Sequence, residues 1–394
     1  MNRGLAPRIG MVTERTEARI AESIAELLDF APLESLVFGG WDMRFANCYE
    51  GALHHGVFPP HVLERVREDL ERVRPWPALF SSDYVENLSG PNVARASTHR
   101  EQIAAIERDL ENFRKDNGLD RIVMVNLGST ERFLEIQPVH RDLRAFEAGL
   151  DASDPAITPA MRYFYAANRL QIPYCNFTPS LTHVPALDQH ANEMANPFAG
   201  MDGKTGQTLV KTALASMFRA RRLIIDGWYS TNFLGNGDGQ VLDSPASNKT
   251  KVLSKSSVLD SIVGYHVENH QVHIHYYKPR GDSKEAWDNI DFVGFAGVPM
   301  QIKINFLCQD SALAAPLVID LVRLLDVARR CGERGIQRQL SIFFKSPYSL
   351  PGETPVHDLF KQEKALVDWA RAHATQRGQL PRTNGATTHV EPTS

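Results

Sequence analysis

KTGQTLVKTALASMFRARRLIIDGWYSTNFLGNGDGQVLDSPASNKTKVLSK, residues 204–255, is where the chain first becomes specific. A Lys/Thr/Gly/Gln helix start leads into a strand, a Gly/Asn/Asp turn and a second, lysine-rich helix start. At Lys204, Thr205 and Gly206, free backbone N–H groups and the positive end of a helix can hold a phosphate or carboxylate. Lys251 and Lys255 are spaced i, i+4, so both amines project from one helical face. Paired amines depress each other's pKa and can stabilise an enolate or donate a proton. Each feature also has an ordinary reading, as solvated lysines or, at Asn236 and Asp238, as turn chemistry. Together they lay out a site for a polyoxygenated anion.

On the N-terminal side, residues 13–29 place apolar residues near helical spacing, and SLVFGGWD (35–42) reads as a buried strand with Asp42 just beyond its carboxyl end. Open α/β sheets bind ligands at that edge, although a lone acid there is also an ordinary cap or turn. Residues 60–72 and 97–116 read as amphipathic helices, the second opening after Ser97-Thr98. RIVMVNLGSTE (121–131) reads as a strand entering a Gly-Ser-Thr turn, where small residues around Ser129 let backbone N–H groups approach a ligand. Thr130 and Glu131 also suit a helix cap followed by a dipole-matched acid. Thr158-Pro159 starts another helix, and QIPYCNF (171–177) is the next strand. This alternation predicts parallel crossovers and an α/β, doubly wound sheet.

On the C-terminal side, residues 270–279 alternate as a strand, and 291–310 supply more sheet with a kink at Gly297 and Pro299. Residues 311–332 form an apolar helix ending in basic residues and Gly332. LSIFFKSP returns as a short strand carrying Lys345. His273 and His275 share one strand face but find no third ligand, so no metal is assigned.

The 394 residues are 43% hydrophobic, ordinary for a globular chain. A net charge of −4 and a pI near 6.4 give no reason to expect nucleic acid or a membrane as partner. Four scattered cysteines, without zinc or redox spacing, suit a reducing cytoplasm. No apolar run approaches the ~20 residues that span a bilayer.

Three ordered motifs resemble the myo-inositol-1-phosphate synthase family: Asp202, Lys204, Thr205, Gly206, Gln207 and Thr208 match D-x-K-[ST]-G-Q-T; Leu234, Gly235, Asn236, Asp238 and Gly239 match L-G-N-x-D-G; Lys251, Ser254, Lys255 and Ser256 match S-K-x-x-S-K-S. F-G-G-W-D resembles the family's second Rossmann strand, with Asp42 near the cofactor adenosine. Residues 276–288, YYKPRGDSKEAWD, resemble its G-D-S-K region, placing Asp282, Ser283 and Lys284, and Lys345 resembles its late lysine. Cys308, Asp310 and Ser311 resemble a C-x-D-S segment of structural character. Asn176-Phe177-Thr178-Pro179 stands where relatives have an Asn-Gly-[Ser/Ala]-Pro turn, and a Phe there fills space and disfavours positive φ.

The resemblance implies a Rossmann-type doubly wound parallel sheet interrupted by a mixed α/β catalytic and oligomerisation domain. Residues 1–203 correspond to the first part of the NAD-binding domain, 204–300 to the catalytic and tetramerisation domain, and 301–375 to the return; 376–394 are a polar tail expected to be disordered. The domain's first strand and glycine-rich loop are not found before Phe38. The opening residues resemble the segment downstream of that loop in relatives, as if the start lay upstream.

The implied reaction converts D-glucose 6-phosphate into 1D-myo-inositol 3-phosphate. NAD oxidises C5, a proton leaves C6, the enolate closes on the C1 aldehyde, and the same cofactor reduces the ketone. The implied roles are catalytic for Lys251, Lys255, Lys345 and Asp238, and substrate- or phosphate-binding for Lys204, Thr205, Asn236 and Lys284. Asp42, Ser129, Thr130, Glu131, Asn176 and Asp202 would bind the cofactor, in a homotetramer. Two other readings stay open: a homologue forming a carbocycle from another sugar phosphate, such as fructose 6-phosphate, and a cofactor-free sugar-phosphate-binding paralogue.

Overall fold

The structure, a computed structural model, describes residues 7–14, 23–256 and 258–374, without the side chains of 251–256. The strands in chain order are β1 (Met124–Asn126), β2 (Tyr174–Asn176), β3 (Pro197–Gly200), β4 (Ile224–Leu234), β5 (Asn269–Tyr276), β6 (Ser283–Val293), β7 (Pro299–Gln309) and β8 (Gly335–Ile336). They form two sheets, one ordered β1-β2-β3-β8 and the other β5-β4-β6-β7.

The first sheet is parallel throughout, with Val125 opposite Cys175 and Phe198 opposite Ile336. Successive side chains of a strand point to opposite faces, and here both faces are covered. Tyr174 and Phe198 pack with Ile106, Phe146 and Phe164 on one side, while Cys175 and Ala199 pack with Leu321, Leu324 and Leu366 on the other. This is the doubly wound arrangement the alternating pattern predicts. Local chemistry starts its helices: Thr98 and Glu101 form a reciprocal capping box for His99–Asp116, and Thr158 caps Pro159–Arg169.

The second sheet is mixed, with β4 parallel to β5 and antiparallel to β6, and β6 and β7 forming a hairpin. Its inner face, with Trp228, Ile290 and Phe292, packs on Phe218, Val258 and Ile262 of two helices. The other face keeps Tyr229, Trp287 and Leu307 48–62% exposed. The chain leaves the parallel sheet through 201–206, enters the helix Gln207–Ala220, and returns where β7 runs straight into the helix Asp310–Arg330.

Several expected elements differ. Residues 35–42 form no strand: backbone pairing there is a single bridge from Trp41 to Trp76, and Val37 and Phe38 are exposed beside a cavity rather than buried in a sheet. The helix over 60–72 is two short ones, Pro60–Glu64 and Arg67–Arg72, interrupted at Val66 with ψ 15°. Residues 338–343 form a 3-10 turn, because the stretch bends round the end of β8 instead of pairing along it. The kink near Gly297 and Pro299 is the reversal of the β6–β7 hairpin, with Gly297 at φ +74°. The tail from 376 and residues 15–22 of the expected helix over 13–29 lie outside the described residues; in the described remainder of that stretch a short helix forms at Ile24–Leu27.

In the 201–206 crossing, the Phe177 ring lies where a side chain at position 203 would start. Gly203→Ala should therefore cost about 1–3 kcal/mol in urea melts. Adding the alanine to Phe177→Ala should cost little more than Phe177→Ala alone, and strictly additive losses would refute the contact.

Candidate active site

Backbone pairing builds the centre of the site. Met201 and Ser346 exchange hydrogen bonds of 3.0 and 3.2 Å, Lys345 N–H donates to Asp202 O at 2.7 Å, and Lys204 N–H donates to Phe343 O at 2.8 Å. The turn after β2 joins them, since Asp202 N–H donates to Thr178 O at 3.1 Å and Gly203 N–H to Phe177 O at 3.0 Å. These pairings bring Lys345 Nζ to 2.7 Å from Asp202 Oδ1, with the two side chains 4% and 1% exposed.

A second cluster joins the two crossings. Asp310 Oδ1 accepts from Thr205 Oγ1 at 2.8 Å, and the buried Lys284 ammonium lies 3.3 Å from Asp310 Oδ2. Ser311 Oγ donates to Asp282 Oδ1 at 3.1 Å, while the buried Asp282 Oδ2 has no partner among the described residues. Asn236 caps the helix Gly237–Leu242, accepting from Gly239 N–H at 3.0 Å, so the expected turn is a helix start.

Both clusters border one cavity of about 850 Å³. Of the residues singled out in the sequence, Asp202, Thr205, Asn236, Asp238, Lys284 and Lys345 line it on the catalytic side. Asp42, Ser129, Thr130 and Glu131 line it beside the carboxyl ends of β1 and β2. Asp42 Oδ1 accepts from Arg44 N–H at 2.6 Å and Phe45 N–H at 3.2 Å, the ordinary turn role. Glu131 is buried; Oε1 accepts from Ala160 N–H at 3.0 Å, Oε2 has no partner among the described residues, and burial pushes the carboxyl pKa up.

Two expected residues stand behind the wall. Asn176 donates to Ser180 O, Thr182 Oγ1 and Tyr348 Oη at 2.8–3.1 Å and so shapes the turn over 176–182. Lys204 is 2% exposed and directs its ammonium to Gln362 Oε1 at 2.5 Å, away from the cavity lining. Burial lowers its pKa to about 7, and neighbouring His357 is lowered to about 4 by burial and then by Lys204.

Lys251 and Lys255 lie on the helix Pro245–Ser256, and their side chains are outside the described residues. Ser247 Oγ donates to Thr130 O at 3.2 Å and Thr250 Oγ1 to Glu131 O at 3.3 Å, which anchors that helix on the cavity wall.

Sequence reasoning missed Gln362 and Arg44 and gave Asp310 no chemistry. Gln362 carries a readable signal, a polar residue heading the buried stripe Gln362, Leu366, Ala370 at i, i+4 and i+8. Arg44 carries none.

The cavity also suits a dinucleotide. It meets the carboxyl ends of two adjacent parallel strands, where open α/β sheets bind such ligands. Phe38 and Leu127, 61% and 60% exposed, line it together with Ser129 and Thr130. Apolar surface with a few placed polar groups is the usual lining of a cofactor pocket.

A family model described as myo-inositol-1-phosphate synthase matches residues 6–371 and is of NAD-binding type. The chain is 42% identical over 382 residues to inositol-3-phosphate synthase 1 of Bacteroides thetaiotaomicron, covering 94% of this chain and 89% of that one. It is 30% identical to inositol-3-phosphate synthase of Saccharomyces cerevisiae, covering 88% and 72%. The crystal structure of inositol-3-phosphate synthase from Caenorhabditis elegans superposes with TM-score 0.87 at 24% identity, over 94% of this chain and 78% of that one.

Lys204 yields a pH test. Its pKa of about 7 lies below the ~10.4 of an unfolded lysine, so between these values the unfolded chain binds more protons. Stability from this site therefore rises with pH above 7 and is lost as pH falls through 7. Lys204→Met removes the titration. Urea melts at pH 7 and pH 9 should show the parent gaining on the variant by up to about 1.4 kcal/mol per pH unit; a pH-independent gap would contradict it.

Proposed function

The chain belongs to the myo-inositol-1-phosphate synthase family, and from that premise we propose that it cyclises D-glucose 6-phosphate to 1D-myo-inositol 3-phosphate with NAD as cofactor. The observation that carries this reading is the buried Lys345–Asp202 pair, set in a cavity wall with Thr205, Asn236, Asp238 and Lys284. Enolisation and ring closure develop negative charge on sugar oxygens, and preorganised cations in a water-poor site stabilise such charge strongly. Lys345, held by Asp202, supplies one such cation.

Lys251 and Lys255, on the helix anchored to Thr130 and Glu131, are assigned enolate stabilisation and proton transfer. Thr205, Lys284 and Asn236 are assigned the phosphate and hydroxyls, and Asp238 positions a lysine or hydroxyl. The phosphate role expected of Lys204 passes to Thr205 and Lys284, because the Lys204 ammonium is turned to Gln362. Asp42, Ser129 and Thr130 border the space assigned to NAD, with Asn176 and Glu131 fixing its walls. When bound there, NAD supplies a reversible two-electron oxidation at one sugar carbon.

The uncovered face of the mixed sheet supports assembly into a homotetramer. Tyr229, Trp287 and Leu307 are exposed on it, and His273 stacks on His275 with ring centroids 6.2 Å apart. Exposed apolar patches of this kind mark association surfaces. Among the described residues no helix is long and apolar enough to cross a membrane, and the four cysteines are free. The sugar-phosphate substrate and the free thiols fit the cytoplasm.

Carbon-13 NMR of labelled glucose 6-phosphate, with and without NAD, should show an inositol phosphate only with the cofactor. Conversion of fructose 6-phosphate instead would favour the altered-substrate reading. Lys345→Ala should lower turnover about 10²–10³-fold. Because removing one partner of a buried pair costs about 3–5 kcal/mol, Asp202→Asn/Lys345→Met serves as a second variant, expected to fold and be inactive. Full activity in either sinks the assignment. Light scattering should give a mass of four chains, and Leu307→Arg should reduce it; a monomeric parent would refute the tetramer.

A further inference from the structure

Among the described side chains, the cations lining the cavity are Arg44, Lys284, Lys345 and, when protonated, His55. Lys345 is paired with Asp202 and Lys284 with Asp310. Burial, and then neighbouring His54, lowers the His55 pKa and favours the neutral ring. Arg44 is different. Among the described residues its half-buried guanidinium has no hydrogen bond and no ion pair.

The backbone aims this side chain. Arg44 N–H is held by Asp42 Oδ1 at 2.6 Å, and the preceding Met43 O accepts from Asn92 N–H at 3.0 Å. Nη1 reaches the opposite wall, where it lies 3.4 Å from the position a Cβ on Gly237 would occupy. Residue 237 is thus a glycine where the guanidinium comes closest to the second wall. Asp282 shares this end of the cavity, and both it and Arg44 act electrostatically on His55. Its Oδ1 takes the Ser311 hydroxyl, and it makes no ion pair with Arg44.

A half-buried guanidinium with no ion pair or hydrogen bond has its donors unmet until an anion arrives, and its planar fork matches a phosphate bidentately. We propose that Arg44 is the anion anchor of this cavity, binding a phosphate oxyanion of the ligand across the gap between the Asp42 turn and Gly237. The inference rests on the sugar-phosphate and dinucleotide reading above. The shared chemistry is a phosphate oxyanion, from the sugar's phosphomonoester or the dinucleotide's diphosphate.

Calorimetric titration of the full chain with glucose 6-phosphate and, separately, with NADH distinguishes these sources. Arg44→Ala should weaken one of them about tenfold to a hundredfold, the range for a lost charge-assisted hydrogen bond. Arg44→Lys should restore part of the loss, since it keeps the charge without the fork. Weakening confined to glucose 6-phosphate assigns the phosphomonoester, and weakening confined to NADH assigns the diphosphate. If the parent binds both and Arg44→Ala binds both equally well, the inference is overturned while the function stands.

If the parent binds neither, the functional reading fails, and inorganic phosphate becomes the probe. Phosphate binding lost in Arg44→Ala would still support the anchor, and its absence from the parent would overturn it. The guanidinium makes no bond within the described fold, so thermal melts of Arg44→Ala should match the parent. A large drop in Tm would instead mark Arg44 as structural and overturn the proposal.

Discussion

The ion pair between Asp202 and Lys345 constrains everything around it. Two charges this deeply buried repay their desolvation only in good geometry with further hydrogen bonds, and here the backbone supplies that geometry. Residues 200–204 and 343–348 pair through successive main-chain bonds, including Tyr348 N–H to Gly200 O at 2.7 Å. Asp202 adopts φ +61°, a conformation that aspartate tolerates better than most residues. Three turns, after β2, β3 and β8, are thereby fixed to one another at the same end of the parallel sheet.

The second constraint is topological. A chain that leaves one sheet to build another and then returns must cross between them twice. Here the crossings are 201–206 and the junction of β7 with the helix Asp310–Arg330. Each carries a polar residue into the space between the sheets, and Thr205 from one meets Asp310 from the other at 2.8 Å. Lys284, at the start of β6, completes that contact. The cavity wall is assembled where the two sheets are stitched together, so its shape depends on both crossings being in register.

Much of this was legible in the sequence. The covered parallel sheet followed from strand and helix alternation, and the helix starts at Thr98 and Thr158 from their capping chemistry. Three ordered motifs and the G-D-S-K match identified residues of which Asp202, Thr205, Asn236, Asp238 and Lys284 do line one cavity. What failed was local geometry decided by distant partners. Residues 35–42 have the composition of a buried strand, but their apolar side chains border the cavity. LSIFFKSP (340–347) is apolar enough for a strand, yet its first part winds into the 3-10 turn Arg338–Phe343 that positions Lys345. Periodicity cannot distinguish apolar residues facing a sheet neighbour from those facing a ligand space.

Side-chain direction was the other hidden variable, and the lysines show why it matters. Lys204, Lys284 and Lys345 look alike in sequence, each beside a small polar residue at the end of a strand or turn. A carboxylate partner favours the ammonium form, whereas burial against a neutral amide does not. Lys284 and Lys345 reach Asp310 and Asp202, while Lys204 reaches Gln362. Its depressed pKa makes it a poor fixed cation for a phosphate and suits it to tether the 201–206 crossing to the helix Leu359–Ala374. Motif spacing selects the element on which a lysine sits; the acceptor it finds there decides whether it does chemistry or holds the residues that do.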